Sequence, residues 1–333
     1  MTNLTDPTMH DPQLATGDRL RHLLTLDGLG RARIEALLDR AARLRAAWRA
    51  GEALPRSLER RTVVNLFFEA STRTRTSFEL AARRLGADVV NFDIASSSTS
   101  KGETLEDTLA TLEAMDADAF VVRHRENGTP ARLAAHASRA AVLNAGDGNH
   151  AHPTQGLLDL LTLRDRKGGI DGLVVTICGD IRHSRVARSD VHGLRALGAA
   201  SIRLCGPREL LPDAAAFAGC EIGEDFDAAV EGADAVVMLR IQKERIDDLA
   251  GLDEAGYFAR YGLSARRLAR ARTDAVVMHP GPMNRGIEIA SEVADGPQSA
   301  VLDQVANGIF VRMAALVELL GDARATAATT TRC

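Results

Sequence analysis

Phe67-Phe68-Glu69-Ala70-Ser71-Thr72-Arg73-Thr74-Arg75-Thr76 stands between an apolar run, Val63–Phe68, and a helical pattern over Ser77–Leu85 in which Phe78, Ala81, Ala82 and Leu85 share one face. A strand feeding a helix through a polar turn is the building unit of a parallel α/β sheet. Such a sheet binds ligands outside the carboxyl ends of its strands. The turn is dense in hydrogen-bond donors. A helix N-terminus presents free N–H groups and a partial positive charge. Ser71, Thr72 and Thr74 add hydroxyls, and Arg73 adds a planar guanidinium. A dianionic phosphate suits that environment. For any one of these residues taken singly, an ordinary Ser or Thr N-cap beside a solvated Arg is the plain alternative.

Outward from this turn the alternation continues. Asp88–Phe92, Ala119–Val122 and Ala141–Asn144 are expected strands, and Thr104–Met115 is a helix with Leu105, Leu109, Leu112 and Met115 on one face. A helix begins at His152-Pro153, where proline suits the first turn, and stops near Lys167-Gly168-Gly169. It is expected to bridge two domains. In the second half, Leu173–Cys178, Ser201–Cys205, Ala235–Leu239 and Ala275–Met278 are expected strands. Val186–Leu197 and Gln304–Leu320 are expected helices. Residues 1–18 and 322–333 are expected to be frayed tails. The predicted fold class is α/β: two doubly wound domains, each with a mostly parallel sheet flanked by helices.

Composition agrees with a globular pair of domains. The chain has 333 residues, 45% apolar and 26% charged, with only 4% aromatic, so Ala, Leu, Val and Ile must fill the cores. A net charge of −4 gives no general attraction to nucleic acid or to an anionic membrane. Anion binding must come from local Arg clusters. Of the 41 basic residues only Lys101, Lys167 and Lys243 are lysine. The four cysteines form no C-x-x-C pair and no zinc spacing. Cys178 and Cys205 end apolar runs and are expected to be buried thiols. The N-terminal stretch lacks the pattern of a signal peptide, and no run approaches the ~20 apolar residues of a membrane span. A cytoplasmic location and no membrane partner are expected.

Several segments, in order, resemble the aspartate/ornithine carbamoyltransferases. S-T-R-T-R after F-F-E is similar to that family's carbamoyl phosphate loop. Arg123 in Val-Val-Arg-His, His152 and Gln155 in His152-Pro153-Thr154-Gln155, and Lys101 in the loop Ser96–Ser100 with Lys101-Gly102-Glu103-Thr104 follow in the family's sequence. Gly179-Asp180 with Arg185, then Leu239-Arg240-Ile241-Gln242-Lys243-Glu244-Arg245, and finally His279-Pro280-Gly281-Pro282, complete the match. The resemblance runs from about Leu20 to Leu320. His124 and His150 neighbour motif positions without matching them.

By that resemblance Ser71, Thr72, Arg73, Thr74, Arg123, His152, Gln155, Gly281 and Pro282 bind carbamoyl phosphate. Lys101, Arg185, Arg240 and Gln242 bind L-aspartate, Lys101 reaching a neighbouring subunit's site. The catalytic set is Arg73, Thr74, Arg123 and His152. Two cationic forks at fixed separation are what a dicarboxylic amino acid needs. Neither metal nor cofactor is implied. The resemblance also implies a carbamoyl phosphate-binding domain over residues 19–160 plus 304–321 and an aspartate-binding domain over residues 161–303. It further implies a homotrimer with shared sites, on which regulatory chains or a dihydroorotase could build a higher assembly. The reaction implied is carbamoyl transfer to aspartate, an early step of de novo pyrimidine biosynthesis.

Rival readings are a carbamoyltransferase for ornithine or another amine and a non-catalytic homologue serving as a structural partner. Pro280 stands where ornithine enzymes carry the Cys of an H-C-L-P motif, which speaks for aspartate. Gly281 departs from members of the aspartate branch with Leu there. A dinucleotide-binding enzyme fits poorly, since Gly179-Asp180 lacks the G-x-G-x-x-G turn.

Overall fold

The computed structural model describes residues 12–15, 19–92, 102–241 and 253–321. Lys101 and Gln242, and most of their two loops, lie outside those residues.

The chain divides into two compact units. The first comprises Met1–Thr25, Arg43–Gly148 and Ile309–Cys333, and the second Leu26–Ala42 and Asn149–Gly308. Two of the four divisions fall inside the first and last helices, α1 (Arg31–Arg49) and α11 (Val301–Leu320).

In the first unit, β1 (Thr62–Phe67), β2 (Asp88–Asn91), β3 (Ala119–His124) and β4 (Ala141–Asp147) form a four-stranded parallel sheet in the order β2-β1-β3-β4. Helices α2 (Thr72–Arg84), α3 (Leu105–Ala114) and α4 (Thr129–His136) make the crossovers. Strands buried on both faces need largely apolar runs, and Ala119–Val122 supplies one, as does Val63–Leu66 apart from the buried Asn65, whose Nδ2 donates to Asn91 Oδ1 at 2.8 Å. Phe78, Ala81, Ala82 and Leu85 are all fully buried, as their spacing predicts. Met115 departs from its predicted face: α3 ends at Ala114, and Met115 is 70% exposed. The N-terminal segment departs too where it is described. Gln13 is buried, and its Oε1 accepts from the Leu24 and Thr25 N–H groups at 2.7 and 2.9 Å.

In the second unit, β5 (Val174–Cys178), β6 (Ser201–Cys205), β7 (Glu221–Gly223), β8 (Ala235–Met238) and β9 (Val276–Met278) form a five-stranded parallel sheet in the order β7-β6-β5-β8-β9. Its helices are α5 (Pro153–Lys167), α6 (Arg185–Ala196), α7 (Phe226–Val230), α8 (Glu254–Tyr261), α9 (Ala265–Leu268) and α10 (Ser291–Ala294). Tyr257, Tyr261, Phe226 and Met238 centre its core. Cys178 and Cys205 face each other in register on β5 and β6 as buried free thiols, and burial, with Cys205 alongside, pushes the Cys178 thiol up. Lys167 spends its charge structurally, 2.6 Å from Asp274 and 3.5 Å from Asp234. Among the described residues no helix is long and apolar enough to cross a membrane, and no cluster of three His, Cys, Asp or Glu could hold a metal ion.

Candidate active site

Both sheets are wound outward from a central pair of strands. In the first the winding reverses between β1 and β3, and in the second between β5 and β8. A doubly wound sheet opens a crevice at that reversal, outside the strands' carboxyl ends. Ser71–Thr74 and Arg123 lie at the first of these places and Arg240 at the second.

At the first, Phe67 pairs in register with Arg123, and the Phe68 N–H donates to the Arg123 carbonyl at 2.8 Å. The residues after Phe67 are therefore carried past the Arg123 backbone. Arg123 also sits opposite a bulge. Val122 pairs with Asn144 and His124 with Asp147, so Ala145 and Gly146 together oppose Arg123. Gly146 takes φ +130° there, a conformation open to glycine. Bulges re-aim side chains beside functional sites. Here Arg123 Nη1 donates to the bulged Ala145 carbonyl at 3.2 Å, while Nη2 lies 3.1 Å from Glu69 Oε1.

Ser71 caps α2 through its backbone only, with no side-chain cap bond. Other Ser, Thr and Asp residues at helix starts do cap: Thr104, Ser184, Asp225, Asp253 and Ser264 each accept an N–H from their own first turn. The Ser71–Thr74 turn thus lacks the satisfied cap that an ordinary helix start would show. Thr72 and Arg73 are exposed and Thr74 is buried.

His152 precedes α5 in the same manner. It occupies the N-cap without a side-chain cap bond, Pro153 follows at the first helical position, and the His152 N–H donates to Ser189 Oγ at 2.9 Å. Gln155 lies in the first turn, and its Nε2 donates to the Asp159 carboxylate at 3.1 and 3.2 Å.

At the second reversal, Cys178 pairs with Met238, and the Leu239 N–H donates to the Cys178 carbonyl at 2.8 Å. Gly179 has φ +130°, and a Cβ there would lie 3.0 Å from the Leu239 carbonyl oxygen. This glycine lets the two strand ends run close together, so Gly179-Asp180 and Leu239-Arg240 leave the sheet side by side. Arg240 is exposed and Arg185 opens α6 half-buried. Asp180 is buried and accepts from the His183 N–H at 3.3 Å, with His183 Nδ1 2.8 Å from the same oxygen.

The third strand end of this unit carries His279-Pro280-Gly281-Pro282. The Gly281 N–H donates to His279 Nδ1 at 2.8 Å, which places the ring's own hydrogen on Nε2, 3.1 Å from Glu288 Oε1. Glu288 Oε1 also accepts the Asn284 N–H, and Asn284 Nδ2 donates to the Ile241 carbonyl at 2.8 Å. The Gly281-bearing turn and the residue after Arg240 are thereby tied together.

Sequence reasoning missed Glu69, Asp159, Glu288, Asn284 and Gln304. His124, which that reasoning set aside, has its Nδ1 accepting the Glu126 N–H at 3.0 Å, its ring edge-on against Phe68, and its pKa lowered by burial. That histidine holds a turn. His150 is exposed.

Two family models match nearly the whole chain. Residues 21–165 match the aspartate/ornithine carbamoyltransferase carbamoyl-P binding domain, and residues 171–319 match the Asp/Orn binding domain. The chain belongs to the aspartate/ornithine carbamoyltransferase family. Within that family it is 60% identical over 312 residues to the aspartate carbamoyltransferase catalytic subunit of Xanthomonas campestris pv. campestris, covering 93% of this chain and 99% of that one. The structure of aspartate transcarbamoylase from Trypanosoma cruzi in complex with N-(phosphonacetyl)-L-aspartic acid superposes with a TM-score of 0.83. It is 32% identical and covers 92% of this chain and 98% of its own. Ornithine carbamoyltransferase from Pyrococcus furiosus superposes with a TM-score of 0.82 at 28% identity, covering 91% and 97%. Shape alone therefore does not separate the two branches of the carbamoyltransferase family.

Proposed function

We propose that this chain is a transferase that moves the carbamoyl group of carbamoyl phosphate to the α-amine of L-aspartate, giving N-carbamoyl-L-aspartate and phosphate. The observation that carries the reading is the 60% identity to an aspartate carbamoyltransferase catalytic subunit along 99% of that protein's length. Pro280 in place of the ornithine enzymes' Cys, and Arg240 beside Gly179-Asp180, support aspartate over ornithine.

Ser71, Thr72, Arg73 and Thr74 hold the phosphate at the start of α2, where N–H groups, hydroxyls and a guanidinium converge in kind. Arg73, Thr74, Arg123 and His152 serve the carbonyl oxygen and the bridging oxygen. Gln155 has one amide end committed to Asp159, so its Oε1 is the end offered to ligand. The only donor on carbamoyl phosphate in its dianionic form is its amide, which Gln155 Oε1 and the backbone of Gly281 and Pro282 accept.

Aspartate is held by Arg185, Arg240, Gln242 and Lys101. Its neutral amine attacks the carbonyl carbon, forming the N–C bond. Negative charge gathers on the carbonyl oxygen and is met by preplaced donors. The C–O bond to the phosphate then breaks, and phosphate departs with the amine's proton. The chemistry is positioning plus polarisation of one carbonyl.

Residues 19–160 plus 304–321 form the carbamoyl phosphate-binding domain and residues 161–303 the aspartate-binding domain. The enzyme is a cytoplasmic homotrimer whose Lys101 completes a neighbour's site, acting early in de novo pyrimidine biosynthesis, and its trimer is open to regulatory or dihydroorotase chains. A paired assay decides the substrate: purified protein with carbamoyl phosphate should form carbamoyl-aspartate from aspartate and little citrulline from ornithine. The reverse preference would overturn the reading.

A further inference from the structure

One buried carboxylate governs both groups that this reading assigns to the carbamoyl amide. Gln155 and Asp159 lie one turn apart on α5, where side chains four residues apart meet. Besides the two contacts from Gln155, Asp159 Oδ1 accepts a third N–H, from Gln304 Nε2 at 2.6 Å. The other end of that amide, Gln304 Oε1, accepts the backbone N–H of His279 at 2.9 Å. The His279 ring in turn holds the Gly281 N–H. Asp159 and Gln304 are each 2% exposed, so solvent does not compete for these bonds.

The polarity of this chain of bonds follows from elementary chemistry. A carboxylate only accepts, so each glutamine must turn its NH2 towards Asp159. Gln155 must then present Oε1 on its other side, and Gln304 must present Oε1 to His279. A neutral amide at position 159 could accept or donate, and either glutamine could turn over.

We propose that Asp159 is a positioning residue for recognition of the carbamoyl amide, fixing Gln155 as an acceptor and, through Gln304, anchoring the His279–Pro282 turn. It touches no substrate atom. The inference rests on the carbamoyl phosphate reading above.

Acetyl phosphate separates this role from a merely structural one, because it keeps the phosphate and carbonyl and replaces the amine with a methyl group. On the full-length protein, binding of carbamoyl phosphate, acetyl phosphate and inorganic phosphate is measured for wild type and Asp159→Asn. The wild type should prefer carbamoyl over acetyl phosphate. Asp159→Asn should reduce that preference at least about tenfold, the loss of one oriented hydrogen bond, and change inorganic phosphate affinity less than about twofold. The ratio is insensitive to the fraction of protein folded, since both ligands sample the same native molecules. An unchanged ratio, or equal weakening of all three ligands, overturns the proposal. Should Asp159→Asn yield no folded protein, Gln304→Met must lower the same ratio by releasing the His279–Pro282 turn, and an unchanged ratio there is equally fatal. A wild type that forms no carbamoyl-aspartate defeats the parent reading. An active wild type with an unaltered ratio in the variants defeats only the positioning role.

Discussion

Arg123 Nη2 stands 3.1 Å from Glu69 Oε1, so a carboxylate from the turn after β1 neutralises the guanidinium assigned to the substrate carbonyl. An arriving anion must share Arg123 with that carboxylate. Glu69→Gln removes the charge and keeps the shape. The expected result is tighter inorganic phosphate binding, by roughly three- to tenfold, the worth of about 1 kcal/mol for a partly exposed pair. Isothermal titration in low salt reads it. Unchanged affinity would mean that Arg123 does not serve the anion.

Arg73 lies exposed in the first turn of α2. Arg73→Ala should therefore leave the melting temperature within about 2 °C of wild type, as surface substitutions generally do. Turnover should fall by about a thousandfold or more, the scale of losing one preplaced donor to a developing oxyanion. Arg240→Ala should instead raise the KM for aspartate most. Near-normal activity of the Arg73 variant would refute its assignment.

Lys101 is proposed to act across a subunit boundary, and mixing two inactive variants tests that directly. Lys101→Ala and Arg73→Ala should each be inactive alone. Dissociated, mixed and reassembled, they should regain a fraction of wild-type activity, because some mixed sites receive a good Lys101 and a good Arg73. Absence of any regain, with mixed oligomers demonstrated, would argue for self-contained sites.

All strands but the short edge strand β7 (Glu221–Gly223) were legible, because parallel strands buried on both faces are largely apolar runs. Thr62–Phe67, Ser201–Cys205 and Val276–Met278 fall within a residue of their expected bounds. Helix α1 escaped notice although Ile34, Leu37, Leu38, Ala41 and Leu44 mark a buried stripe, because arginines crowd the rest of its surface. At the site, donors near strand ends could be named because ligand chemistry demands those residue types there. The partners that orient them could not. Gln155 and Asp159 show an ordinary i, i+4 spacing, and the decisive third member, Gln304, is 145 residues further along the chain. No local pattern carries that contact.

His22 gives the first unit an acid-sensitive point. It is 2% exposed, and its Nδ1 accepts the Val142 N–H at 3.0 Å. Burial, reinforced by the Arg21 charge, lowers its pKa from 6.5 to about 4. A depressed folded pKa means that unfolding takes up a proton. The contribution is whole above 6.5 and drains away as pH falls towards about 4. Its size is of the order of 3 kcal/mol. His22→Asn keeps an acceptor that cannot charge, so urea-unfolding stability of the variant should fall less steeply across that window. Parallel pH dependences would remove His22 from the account.

Asp190 makes the opposite prediction in the second unit. It lines a small, otherwise apolar cavity with Asp159, Leu160, Val175 and Val237, and no N–H donor among the described residues reaches either of its oxygens. Burial above all, then the charge of Asp159 and the hydrogen bond shared with it, pushes the Asp190 carboxyl well above the usual carboxylate range. The native group therefore holds its proton to higher pH than the unfolded chain, whose carboxyl has the ordinary value of 3.8. Here the contribution is whole below the unfolded value and is lost as pH rises. Asn is an isostere of the protonated acid and carries its donor at every pH. Asp190→Asn should thus gain stability relative to wild type as pH climbs from about 5 to about 8, read by urea unfolding at both ends. A difference that stays constant or shrinks with pH would show that Asp190 is ionised in the native protein, and that Asp159 does not owe its acceptor role to a neutral neighbour.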